Sequence, residues 1–128
     1  MSDQKPLRNI RSFARRQGRL TKGQSRALGI LWPELGLDPD QALSSLEEVF
    51  GRSGQKILEI GFGMGDSLAQ MAIDNPEIDY IGVEVHRPGI GHLLAVIERY
   101  GLSNIRIYNA DAVHIIKQCL PDNSLYGV

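Results

Sequence analysis

The sequence predicts an α/β fold built on a parallel, right-handed, doubly wound sheet, on three observations. From Lys56 onward, short apolar strands alternate with amphipathic helices in the order β-α-β-α-β-α-β. Strands joined by helical crossovers run parallel and need cover on both faces. The first strand also runs straight into a loop with glycine at 61, 63 and 65 before the next helix opens. Such a loop bends the backbone sharply and lets a ligand approach the main chain closely.

Taken in order, residues 1–26 are polar and basic, with Leu7, Ile10, Phe13 and Leu20 as scattered anchors, and the first six or seven residues read as a solvated tail. Leu31–Leu37 reads as a loop with a packed tryptophan, and Asp38–Asp40 as a turn. Gln41–Phe50 carries Leu43, Leu46, Val49 and Phe50 at helical spacing, so a helix is expected there. Ile57–Ile60 is the first strand. Ser67–Ile73 is the helix after it, capped by Asp66 or Ser67 and broken by Asn75-Pro76. Tyr80–Val85 is the second strand. Gly89–Tyr100 follows as a helix with Ile90, Leu93, Leu94 and Ile97 on one face and Gly101 at its C-terminal end. Ile105–Tyr108, Val113–Leu120 and Leu125–Val128 complete the pattern as strand, helix and fourth strand. A fourth strand with no crossover helix after it needs cover on both faces. The expectation is therefore an incomplete domain, part of a longer one, whose last strand favours self-association.

With 128 residues, 42% of them apolar, the chain can form one domain at most. Charge divides it. Residues 1–30 form a basic arm with eight Lys and Arg against Asp3 alone, and residues 31–128 carry six basic and fourteen acidic side chains. A basic arm on an acidic body suggests a polyanionic partner met by the arm and a different ligand held by the body. Cys119 is the only cysteine, which excludes an internal disulfide and a multi-cysteine zinc site and fits a reducing cytoplasm. No apolar run approaches the roughly eighteen residues of a membrane span. No apolar stretch follows the basic N-terminus as it would in a secretory signal.

The loop's spacing narrows the ligand. A dinucleotide fingerprint, G-x-G-x-x-G, needs its third glycine at position 66, which is Asp66. The chain offers G-x-G-x-G with Glu59 two residues ahead, and a carboxylate there suits a cationic ligand better than a pyrophosphate. E-x-G-x-G-x-G resembles the cofactor loop of Rossmann-like methyltransferases, whose S-adenosylmethionine carries a sulfonium and an ammonium. Three acidic residues fall at strand ends, where ligands of open α/β sheets bind. Glu84, 23 residues after Gly61, is placed to accept from ribose hydroxyls. Asp111 can accept from an exocyclic amine, and Glu59 can balance positive charge. The first helix's N-terminus would meet a carboxylate. Any one of these acids alone could be a surface or capping residue; three at equivalent positions point to a ligand. His92 and His114 read as surface residues within helices, His86 borders the second strand, and Cys119 reads as core.

Arg11–Gln24 with its Arg-Arg-Gln-Gly-Arg run, Leu58–Gly65, Gly82–His86 and Pro121–Ser124 occur in this order. Together they resemble the bacterial tRNA (guanine-N7-)-methyltransferase family, TrmB, over nearly the whole chain. The resemblance implies an S-adenosylmethionine-dependent, Rossmann-like fold in which Glu59, Gly61, Gly63, Gly65, Glu84 and Asp111 bind the cofactor. It implies a cytoplasmic enzyme with tRNA as partner, no metal and no membrane. In that family the acidic residue assigned to catalysis lies in a later Phe-Pro-Asp-Pro-Trp segment. This chain contains no such segment, so it offers no catalytic residue, and cofactor binding without turnover is expected of it. A methyltransferase with another substrate and a non-catalytic cofactor- or RNA-binding module are the competing readings.

Overall fold

The computed structural model describes residues 20–121 and residue 125. The basic segment up to Arg19 and most of the expected fourth strand lie outside the described residues. Leu125, the one described residue of that strand, packs against a core cluster.

Among the described residues eight elements follow one another: α1 (Lys22–Leu35), α2 (Leu46–Phe50), β1 (Lys56–Ile60), α3 (Asp66–Asp74), β2 (Asp79–Glu84), α4 (Arg87–Tyr100), β3 (Ile105–Asn109) and α5 (Ala112–Gln118). The described strands form one parallel sheet in the order β1-β2-β3, with Lys56 opposite Asp79 and Tyr80 opposite Ile105. Alternation along each strand sends side chains to both faces. On one face Ala27, Leu35, Leu68, Leu93, Leu94 and Ile107 join α1, α3 and α4 to the sheet. On the other, Leu58, Ile81, Val83 and Tyr108 meet Leu46 and Ile115 of α2 and α5. Helices therefore cover both faces, as a doubly wound, Rossmann-like α/β fold requires.

Two expectations are corrected. Leu31–Leu35 is the last turn and a half of α1 rather than a loop. Thr21 and Gln24 form a reciprocal capping box: Gln24 N–H donates to Thr21 Oγ1 at 3.0 Å, and Thr21 N–H to Gln24 Oε1 at 3.1 Å. Ala27, Leu28, Leu31 and Leu35 then lie on one stripe against α4 and the sheet. Pro33 is accommodated because the carbonyl it leaves unbonded, that of Gly29, belongs to an exposed residue that water can reach. After α1 the chain turns along the sheet: Gly36 bridges Ile107, and Leu37 N–H donates to the Ile107 carbonyl at 2.8 Å. This covers the outer edge of β3.

The helix expected over Gln41–Phe50 is confined to Leu46–Phe50. Ser45 caps it, and Leu43 N–H is drawn away to the Cys119 carbonyl at 2.8 Å, which holds the preceding segment out of helical conformation. Among the described residues, the expected strands and helices from Ile57 to Leu120 are present within one or two residues of their predicted ends. Thr21→Ala should lower stability by about 1 kcal/mol, the usual effect of losing an N-cap, read from the denaturation midpoint.

Candidate cofactor site

The glycine loop begins where β1 ends. Gly61 N–H donates to the Val83 carbonyl at 2.8 Å, extending the ladder one residue beyond the strand. Gly61, Gly63 and Gly65 all have positive φ, at 66°, 66° and 84°, so a side chain at any of the three would strain the turn. Gly61 and Gly63 are exposed, and a Cβ on either would meet nothing within 4 Å. One side of the loop is open to a ligand. Gly65 is instead packed against Leu93 of α4.

The capping expectation at α3 is overturned. Gly65 is the N-cap, Asp66 is already helical, and no side chain caps the first turn. Asp66 turns aside to His92, whose Nε2 lies 3.0 Å from its Oδ1. The uncapped N–H groups of α3 are left as donors at the loop, suited to an anionic group.

The three sequence-predicted acids lie along the C-terminal edge of the sheet, each in a different state. Glu84, the last residue of β2, is held by three backbone donors: Oε1 accepts from Gly63 N–H at 2.7 Å, and Oε2 from Val85 and His86 N–H at 3.1 and 3.0 Å. Asp111 caps α5, its Oδ1 accepting from Val113 N–H at 2.8 Å. Glu59 is half-buried in β1 opposite Gly82 and makes no hydrogen bond or ion pair among the described residues. Glu84 Oε1 and Asp111 Oδ2 therefore keep acceptor capacity, and Glu59 keeps an uncompensated charge.

Two residues in this wall escaped the sequence reading. Gly82 and Gly89 lie in what the sequence reads simply as a strand and a helix. A Cβ on Gly82 would stand 2.8 Å from both Phe62 and Leu68, and one on Gly89 would overlap the Gly63 carbonyl. The only sequence signal is glycine inside an otherwise apolar strand and helix, a mark of close backbone approach. His86 occupies the N-cap position of α4 without a side-chain capping bond, and its Nε2 is enclosed with no hydrogen-bond partner among the described residues. His114, exposed in α5, has Nε2 2.7 Å from the Pro39 carbonyl. Cys119 is core as expected: its thiol donates to the Pro39 carbonyl at 3.1 Å, and burial pushes its pKa up, away from thiolate reactivity.

Beside the loop an open cleft of about 740 Å³ runs between α1 and the start of α4, lined by Leu20, Ser25, Trp32, Arg87, Ile90 and Asn109. None of the three acids lines it, so it is a separate surface at the same end of the sheet. Arg87 at its rim is exposed and unpaired among the described residues, whereas Arg26 of α1 is bound through Nη1 to both oxygens of Glu98 at 2.8 and 2.9 Å. No group of three potential metal ligands occurs among the described residues. Nor does any described helix have the length and apolarity to cross a membrane.

Known proteins are similar to this chain in sequence. A protein from Alcanivorax borkumensis named tRNA (guanine-N(7)-)-methyltransferase is 58% identical over 124 residues, covering 97% of this chain and 52% of that protein. Proteins of the same name from Alkalilimnicola ehrlichii and Escherichia coli are 54% and 52% identical over 94% of this chain. The chain thus spans about half the length of the curated relatives it matches. A family model described as "Putative methyltransferase" matches residues 53–128, which include the glycine loop and all three acids. The chain belongs to that methyltransferase family.

Proposed function

We propose that this chain binds S-adenosylmethionine at the glycine loop and, as part of the whole protein, serves methyl transfer to N7 of a guanine in tRNA. The observation that carries the reading is 58% identity to a protein of that name over 97% of the chain. The local chemistry agrees with it. The exposed side of Gly61 and Gly63 leaves room for the cofactor. The free acceptor capacity of Glu84 suits ribose hydroxyls, Asp111 Oδ2 suits an exocyclic amine, and the half-buried Glu59 balances a cationic centre. The uncapped start of α3 suits the carboxylate of the methionine moiety.

Bound S-adenosylmethionine supplies an electrophilic methyl group. N7 of guanine has a free lone pair, so no general base has to remove a proton, and the chain's task is positioning and electrostatics. Nothing in this chain is assigned to the target base. The basic arm grips tRNA phosphates, a sequence-independent contribution. Its entry into the described fold supports this, because Leu20 lines the same cleft as Arg87 and Asn109 at the strand-end side.

The test is methyl incorporation into unmodified tRNA by the whole protein, followed by nucleoside mass spectrometry. The expected product is 7-methylguanosine; methyl on another base, or on protein, overturns the reading. The 128-residue chain alone is expected to bind cofactor without turnover. Glu84→Ala should weaken cofactor binding by about 1–3 kcal/mol, the range for losing hydrogen bonds to a charged acceptor, measured by calorimetry.

A further inference from the structure

The peptide at Gly63 is gripped from several directions by groups of the chain itself. Its N–H donates to Glu84 Oε1 at 2.7 Å. That carboxylate is itself fixed at the end of β2, because Oε2 accepts from the Val85 and His86 amides. On the other side the Gly63 carbonyl lies so near Gly89 of α4 that any Cβ at 89 would overlap the oxygen and stand 2.9 Å from the carbonyl carbon. Both obstacles are backbone atoms, which cannot rotate away. One residue earlier, the Phe62 ring occupies the space that Gly82 leaves by having no side chain. Gly65 N–H then closes the turn on the Phe62 carbonyl at 3.0 Å.

A loop with glycine at every second position has an unusually large conformational entropy to lose when it is fixed. Left to itself, it would have to be ordered by whatever ligand it binds. We propose that Glu84 and Gly89 are positioning residues that set the Gly61–Gly65 loop in its binding conformation ahead of the ligand. Glu84 does so by holding the Gly63 N–H, and Gly89 by leaving room for the Gly63 carbonyl. Glu84 therefore has a task beyond that of a ligand acceptor. Oε1 uses one lone pair on Gly63 and keeps another, so the carboxylate can serve a ligand hydroxyl without releasing the loop. Gly89 acts on affinity through the loop alone. Prior ordering of this kind raises affinity by lowering the entropy lost on binding.

The identity of the ligand rests on the proposed function; the positioning does not, and two measurements on the 128-residue chain separate them. The first is amide hydrogen exchange without added ligand. Gly63 N–H should be protected, and Glu84→Ala, which removes the acceptor, should speed its exchange about tenfold or more while amides in the middle of β2 stay unchanged. Unchanged exchange at Gly63 would show that Glu84 serves only a ligand, and would overturn the proposal. The second is calorimetry of S-adenosylhomocysteine with Gly89→Ala, whose circular dichroism checks the fold. Affinity should fall at least tenfold, and wild-type affinity would overturn the role of Gly89. If Gly89→Ala does not fold, Gly63 exchange in Glu84→Ala still decides. If the wild-type chain protects Gly63 but binds no S-adenosylhomocysteine, the proposed function fails while the positioning stands.

Discussion

Asp79→Ala is expected to destabilise the chain by about 3–5 kcal/mol, the usual result of removing one partner from a buried ion pair. That is a large part of the roughly 5–15 kcal/mol that holds a domain of this size together. Asp79 is 1% exposed and stands opposite Lys56, which is 2% exposed, where β1 and β2 begin. Lys56 Nζ donates to Asp79 Oδ2 at 2.7 Å and to the Arg52 carbonyl at 3.1 Å, and lies 5.4 Å from the Phe50 ring centre. Arg52 closes the cluster, with Nη2 2.6 Å from Asp79 Oδ1 and 2.7 Å from the Pro76 carbonyl. Without the carboxylate, an ammonium is left in the core with one carbonyl and the Phe50 ring near it and no counter-charge. Lys56→Met should be much milder, because Arg52 still pairs with Asp79 and the thioether chain fills the same space. Denaturant titration of both variants checks this pair of outcomes. A loss below about 1 kcal/mol for Asp79→Ala would mean that the cluster contributes little.

If the arm grips tRNA as proposed, deleting residues 1–19 from the whole protein should remove most of the salt dependence of tRNA binding while leaving cofactor affinity nearly unchanged. The segment holds Lys5, Arg8, Arg11, Arg15, Arg16 and Arg19. If each neutralises one phosphate, the slope of log affinity against log salt should become shallower by roughly 4–5, at about 0.7–0.9 per phosphate. The structure decides where to cut. A deletion through Arg26 would also remove the Thr21–Gln24 capping box and the Arg26–Glu98 pair that fix α1 on α4, mixing lost folding with lost RNA contact. An unaltered slope after the shorter deletion would rule out an electrostatic role for the arm.

How much of this was legible in the sequence depended on the range of the interaction involved. The short apolar strands, the glycine loop and the amphipathic faces of α3 and α4 are local patterns, and the structure reproduces them within a residue or two. The extent of α1 was also written locally, in Thr21-x-x-Gln24 and the stripe Ala27, Leu28, Leu31, Leu35. Trp32-Pro33 obscured it, because a proline inside a helix is read as a break, whereas here the carbonyl it frees belongs to the exposed Gly29. What no local pattern could show is tertiary. Leu43 loses its helical bond to the end of α5, Asp66 turns to His92 instead of capping, and Gly82 and Gly89 are small because Phe62 and the Gly63 carbonyl sit against them. Glu84 was legible as an acid at a strand end, but its grip on Gly63 was not. That contact depends on how the loop folds back over β2.

The most direct test of the account is calorimetry of the folded 128-residue chain with S-adenosylmethionine, its demethylated product S-adenosylhomocysteine, and NAD. The strand-end acids, the uncapped α3 and the absence of a third glycine at position 66 predict measurable affinity for the first two, greater than for NAD, and weakened by Glu84→Ala. Measurable binding of NAD without binding of S-adenosylmethionine would contradict the assignment of the glycine loop.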